Sequence, residues 1–242
     1  MKPNDFKPLK PKVVLGIAAH PDDLDFGAAG TMAAFAAQGA DVHYLILTDG
    51  SKGSDKPNIT SAQLIKLREQ EQQDAVKVIG GKSVQFLGHP DGELEVTMEL
   101  KKEIIKVIRT IKPDVVITMD PSMLYSAKRG FINHPDHRAA GQAVLDAVFP
   151  LARDHLTFPE LFADGYKPHK TPTILLINFD DSNFIVDITK TFDTKLAALK
   201  AHTSQVADVA EVEPWLRQMA GQTGAKASYK LGEAFIRIDV RG

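Results

Sequence analysis

The chain has 242 residues, 43% of them apolar and 25% charged, which suits one large or two small globular domains and excludes a disordered chain. A formal net charge of −2 gives no electrostatic case for a nucleic-acid partner or an anionic membrane. With no cysteine, disulfides, thiolate catalysis and cysteine-type zinc sites are excluded. The opening MKPNDFKPLKPK lacks the apolar core of a secretory signal, and no apolar run is long enough to span a bilayer. The expectation is a cytoplasmic protein with no membrane insertion.

Taken in order, Val13 to Ile17 reads as a buried strand, and the Ala-rich run from Thr31 to Ala37 as a helix. Between them lies AAHPDDLDFGAAG, Ala18 to Gly30, with one His and three Asp from His20 to Asp25. Val42 to Leu47 is a second strand and Thr48 to Asn58 a polar loop. Thr60-Ser61-Ala62-Gln63 matches a capping box that opens an amphipathic helix carrying Leu64, Leu67, Val76 and Ile79. Ser83 to Leu87 is a third strand, followed by the loop His89 to Leu94.

Thr97 opens a helix with Leu100, Ile104, Ile108 and Ile111 on its buried face. Pro113 stops it, and Asp114 to Met119 is a fourth strand. HPDHRAAGQAVLDAVF then starts a helix with Pro135 in its first turn and Asp136 at its positive end. Pro150 to Pro172 is irregular, a length that in a compact fold is functional or partly helical. Thr173 to Phe179 is a fifth strand, Thr194 to Ala201 and Val206 to Met219 are helices, and Ala234 to Val240 closes as an edge strand. Trp215, the sole Trp, falls in an apolar helical stretch and reads as core or subunit contact.

Four strands alternating with four helices make a Rossmann-like three-layer α/β fold with a mainly parallel sheet and right-handed crossovers. No linker divides it, so residues 1–242 are expected to form one domain. In strand order 3-2-1-4-5, strands one and four flank the switch-point crevice. His20, Asp22, Asp23 and Asp25 would enter that crevice from one side, and His134, Asp136 and His137 from the other. Asp49 and Asp91 open on the same edge. Two imidazoles and a carboxylate with one open position are what a catalytic zinc needs, and zinc would activate a water at neutral pH. Spacing alone does not assign which of these residues binds metal and which faces water. A dinucleotide reading of Gly27 to Gly30 is poor, because G-x-G-x-x-G is incomplete and three carboxylates would repel a pyrophosphate.

HPDD after the first strand and HPDH after the fourth resemble the LmbE/PIG-L family of zinc-dependent N-deacetylases. TDGSKGS, Arg68-x-x-Glu71, LGHPDGEL and DIT…K…A…H-x-SQ extend the similarity along nearly the whole chain. The resemblance implies zinc bound by His20, Asp23 and His137, with Asp22 as general base. It implies that His134 stabilises the oxyanion or protonates the amine, oriented by Asp136, and that Arg68, Asp91 and Gly92 hold the sugar. One departure is Leu24, where many members have Glu directly after HPDD; here the acid comes one residue later, at Asp25, as a supporting or capping acid. His202 reads as a structural partner. The implied activity is removal of acetyl from an N-acetylglucosamine-type substrate, with an amidase for larger acyl groups or a non-catalytic metal- or ligand-binding protein as alternatives. Iron, cobalt or nickel could replace zinc at such a ligand set. Relatives suggest a homo-oligomer, trimer or hexamer. Specificity is expected in Thr48–Asn58, Leu87–Leu94 and Pro150–Pro172.

Overall fold

A computed structural model describes residues 6–127 and 130–241. The outermost ends of the expected 1–242 domain, and Lys128 and Arg129 of the loop before HPDH, lie outside the described residues.

The parallel part of the sheet follows directly from the apolar runs. β1 (Val13–Ala18), β2 (Asp41–Thr48), β3 (Ser83–His89), β4 (Val115–Met119) and a fifth strand, Thr173–Ile177, line up in the order β3-β2-β1-β4-fifth, all parallel. β1 and β4 are adjacent, with Val14 opposite Val115. Two short strands, β5 (Tyr125–Ser126) and β6 (Phe131–Ile132), pair antiparallel and precede the fifth strand, which is therefore β7.

Helices cover both faces. α1 (Asp23–Ala37), α2 (Ser61–Val78) and α6 (Phe192–Ala201) pack on one, closing a core that includes Val14, Leu24, Met32, Ile46 and Ala198. α3 (Met98–Ile111) and α4 (Pro135–Val148) pack on the other, over Leu15, Ile17, Ile104, Val116 and Val144. Strands buried on both sides read as continuous apolar runs, which is why they were legible. Among the described residues, no helix is long and apolar enough to cross a membrane.

Several expectations are corrected. α1 begins at Asp23, eight positions before the expected Thr31, so the acidic run is its first turn rather than a loop. Gly27 and Gly30 both lie inside this helix, where they permit close packing. A Cβ on Gly27 would come 2.7 Å from Ile177, and one on Gly30 2.9 Å from Ile188. The last strand, β9 (Gly232–Asp239), is not an edge. It pairs antiparallel with β7 on one side and with β8 (Phe184–Asp187) on the other, and β8, too short to read from sequence, is the edge.

The segment 150–172 does not wall the crevice. It carries a 3-10 turn at Leu151–Arg153 and α5 (Pro159–Ala163), and runs along the amino-terminal edge of the sheet. The Arg109 guanidinium, at the end of α3, donates to the carbonyls of Leu151, Ala152, Asp154 and Thr157, and His169 Nε2 donates to Pro113 O just before β4. The loops at the carboxyl edge instead include 120–134 and 178–183. α7 (Val209–Ala225) closes the β9 side, with Trp215 half exposed rather than in the core.

Candidate metal centre and active site

β1 ends at Ala18 and delivers His20 to the switch point beside the end of β4. His134 caps the N-terminus of α4, Pro135 takes the first position, and one turn on His137 returns to the same crevice. The ring centroids of His20, His134 and His137 lie 4.8 to 5.3 Å apart, though the two motifs are separated by more than a hundred residues in sequence.

Supporting bonds decide which ring atoms face inward. His20 Nε2 sits 3.1 Å from Asp136 Oδ2 and 3.2 Å from Asp91 Oδ1, and since carboxylates only accept, Nε2 donates. His137 Nδ1 lies 3.2 Å from Asn133 Oδ1, while Asn133 Nδ2 donates to Met123 O, so the amide oxygen faces the ring and accepts from it. The remaining nitrogens converge on one carboxylate: His20 Nδ1 is 3.4 Å from Asp23 Oδ2, and His137 Nε2 is 3.0 Å from Asp23 Oδ1. Outer hydrogen bonds of this kind fix the tautomer and orientation of metal-binding imidazoles.

The donor set fits a divalent ion. Two imidazole nitrogens and a carboxylate meet in a buried crevice, with each ring's other nitrogen already committed. Among the described residues, the triads whose ligand atoms all lie within 4.8 Å of one another are His20–His134–His137 and His20–Asp91–Asp136. Asp23 is set apart by contacting both His20 and His137, through Oδ2 and Oδ1, while its Oδ2 also accepts the His20 amide; Asp136 accepts the amides of Gly92 and Leu94, and Asp91 that of Lys52.

Electrostatics agree with a site built for cationic charge. Burial opposes a charged His20, but hydrogen bonds to Asp23 and Asp91 lift it to about 10. Burial also works against Asp23 ionisation, yet His137 and His20 hold its carboxyl well below the usual range. Burial pushes Asp22 up to about 7; the Asp23 charge adds to this and Arg68 opposes it. His134 is lowered, mainly by burial and then by the neighbouring imidazoles.

Asp22 precedes α1 with φ of 92°, a left-handed backbone that costs a non-glycine residue roughly 1–3 kcal/mol unless its surroundings hold it. α2 supplies the hold. Gln72 Oε1 accepts the Asp22 amide at 2.9 Å, and Arg68 Nη2 donates to Pro21 O at 2.9 Å and lies 3.6 Å from Asp22 Oδ2. Gln72 Nε2 also bonds Asp25, which is fully buried and bonded to His202 Nε2. Asp25 and His202 are thus structural members of a network behind the crevice.

The structure brings all nine sequence-identified residues to one place, with different connections than expected. The Asp136 carboxylate does not orient His134; it reaches His20 and the 92–94 backbone, and only its amide touches His134. Arg68 is 4% exposed, with Nη1 donating to Gly50 O and Lys52 O, so it is buried rather than on a solvated helix face. Glu71 instead receives Thr203 and Ser204, joining the R-x-x-E and H-x-S-Q pieces. Gly92 turns with φ of 79° and donates its amide to Asp136.

Sequence reasoning missed Gln72 and Asn133. Gln72 carried a signal, since Leu64, Arg68, Gln72, Ala75 and Val76 trace one helical stripe, and polar residues on a buried stripe mark a buried polar network. Asn133 offered only its place immediately before HPDH.

Comparison with known proteins is consistent with this geometry. Residues 15–148 match the family model described as PIG-L: GlcNAc-PI de-N-acetylase. The chain is 35% identical over 235 residues to the diacetylchitobiose deacetylase of Thermococcus kodakarensis, covering 95% of this chain and 85% of that one. It is 30% identical over 207 residues to a probable N-acetyl-alpha-D-glucosaminyl L-malate deacetylase 2 of Bacillus anthracis, covering 80% and 81%. Among solved structures, the N,N'-diacetylchitobiose deacetylase of Pyrococcus horikoshii, in complex with an inhibitor, superposes with a TM-score of 0.87 at 31% identity, covering 95% of this chain and 84% of that one.

Proposed function

The chain belongs to the PIG-L (GlcNAc-PI de-N-acetylase) family and is a hydrolase of N-acetyl amide bonds, and from that premise we propose that it deacetylates an N-acetylglucosamine-type saccharide with a divalent metal at its centre. His20 Nδ1, Asp23 and His137 Nε2 would hold the ion, zinc first, with iron, cobalt or nickel able to substitute. Bound there, it supplies Lewis acidity to water and to the amide carbonyl at neutral pH. Residues 1–242 act in this as one domain.

The remaining steps fall to the chain itself. Asp22, next to the ligand Asp23 and held by Gln72 and Arg68, takes the proton of the attacking water. His134 accepts the Asp136 amide on Nδ1, so its neutral ring carries hydrogen on Nε2 and can donate to the developing oxyanion. The C–N bond breaks, the proton passes to the leaving amine, and acetate and a free amino sugar depart. Asp136 keeps His20 and the 92–94 backbone in register. Arg68, Asp91 and Gly92 form the sugar-side wall, Arg68 and Gly92 by fixing the loops around them.

The observation that carries this reading is the convergence of an imidazole from each motif on the two oxygens of Asp23. The test is metal analysis combined with acetate release from N-acetylglucosamine, diacetylchitobiose and inositol- or malate-linked N-acetylglucosamine, with and without chelator. One equivalent of metal and chelator-sensitive acetate release are expected. Absence of bound metal, or no acetate from any of these, overturns the proposal.

A further inference from the structure

Beside the imidazole cluster lies a cavity of about 220 Å³, walled by Phe26, Met123, Ile177 and Phe179 and bordered by Asp23 and His137. Strand order fixes its side. Arg68, Asp91 and Gly92 flank the cluster towards β2 and β3, whereas Ile177 and Phe179 belong to the end of β7, across β1 and β4. An amide lying across the cluster with its sugar towards Asp91 therefore points its acyl carbon into this cavity. An acetyl methyl, comparable to the ~30 Å³ that a water occupies in the liquid, would leave most of that space empty. Such a volume lined by apolar side chains suits a longer hydrocarbon, and methionine and phenylalanine walls adapt to its shape.

We propose that this cavity is an acyl subsite and that the enzyme's substrates include N-acyl glucosamines with straight acyl chains of about four to six carbons. The inference rests on the amide hydrolysis described above. Water oxygen joins the acyl carbon, the C–N bond breaks and the proton goes to the amine, leaving a short-chain carboxylate and the free amino sugar. Phe26, Gly27 and Phe179 also border a second cavity of about 220 Å³, which Trp215 and Met219 line from α7. Phe179 thus stands between the two and sets the chain length.

The test measures amine release from N-acetyl-, N-butanoyl-, N-hexanoyl- and N-octanoylglucosamine by the metal-loaded enzyme. The expected result is a kcat/KM that rises from acetyl to hexanoyl, by up to about fourfold per methylene, the equivalent of ~0.8 kcal/mol. Met123→Trp, which fills the cavity, should lower the hexanoyl-to-acetyl ratio at least tenfold, and Phe179→Ala should move the optimum towards octanoyl. Hydrolysis of the acetyl compound with the longer amides below a tenth of its rate overturns the acyl subsite and leaves the deacetylase reading standing. An unchanged ratio in Met123→Trp overturns the location. No amine from any of these compounds, with acetate still released from diacetylchitobiose, overturns the acyl subsite alone; no product from diacetylchitobiose or the linked N-acetylglucosamines either overturns both readings.

Discussion

At the residue scale, neighbouring groups of one chemical type are given different tasks by their surroundings. Asp22 and Asp23 are adjacent, yet Asp23 faces two imidazoles while Asp22, turned by its left-handed backbone, faces Arg68. Asp22→Asn is isosteric and keeps that backbone, so metal content measured by atomic absorption should stay at the wild-type level. Its kcat should fall by about 10²–10⁴, the usual contribution of a general base; full turnover would remove Asp22 from that role. Asn133 acts through His137, whose Nδ1 it receives. Asn133→Ala should weaken metal affinity about 10–100-fold, read by competition with a chromophoric chelator, as is usual when such a partner is lost. His20 and Asp23 stand out as candidates because HPDD holds them within one turn of chain, whereas their roles as proposed ligands come from the family resemblance. Asn133 and Gln72 could not, because their partners are chosen by tertiary contacts.

At the element scale, the site depends on how closely helices meet strand ends. In α4, Gly141 lies against the backbone at Met119 O and Pro121, where a Cβ would collide with atoms that cannot swing aside. Gly141→Ala would gain about 1 kcal/mol of helix propensity but lose about 1–3 kcal/mol to overpacking. Net destabilisation in urea is expected, with lowered metal affinity because α4 carries His137. At the opposite edge, Arg109 is 1% exposed and ties 151–157 to α3 through carbonyls. Arg109→Ala should cost about 3 kcal/mol or more by chemical denaturation, since charged hydrogen bonds contribute roughly 1.5–3 kcal/mol each without adding fully. Activity per folded molecule should remain within about twofold, because this segment faces away from the crevice.

At the scale of the whole molecule, the centre joins pieces that are remote in sequence: His20 after β1, the 89–94 loop after β3, His134 and His137 on α4, and behind them Asp25 of α1 bonded to His202 at the end of α6. An ion bound to residues from both motifs binds the folded chain and not the unfolded one, so it stabilises by mass action, about 2.7 kcal/mol at a hundredfold excess over Kd. Removing metal with chelator should lower the melting temperature, and added zinc should restore it in a concentration-dependent way. A melting temperature indifferent to metal would argue against a centre shared between β1 and α4.

The sequence by itself determined the parallel sheet, its 3-2-1-4-5 order and the meeting of HPDD with HPDH, because buried parallel strands are continuous apolar runs and a short motif keeps its polar side chains together however the rest folds. Only the tertiary structure decided the start of α1, the edge strand, the turn of Asp136 towards His20 and the placement of 150–172 at the wrong edge for specificity. Gly27 and Gly30 lie where Ile177 and Ile188 approach α1 too closely for a Cβ, a contact visible only in the folded chain. A carboxylate takes the best donors within reach, and for Asp136 those are His20 and the amides of Gly92 and Leu94, residues that only the folded chain brings beside it.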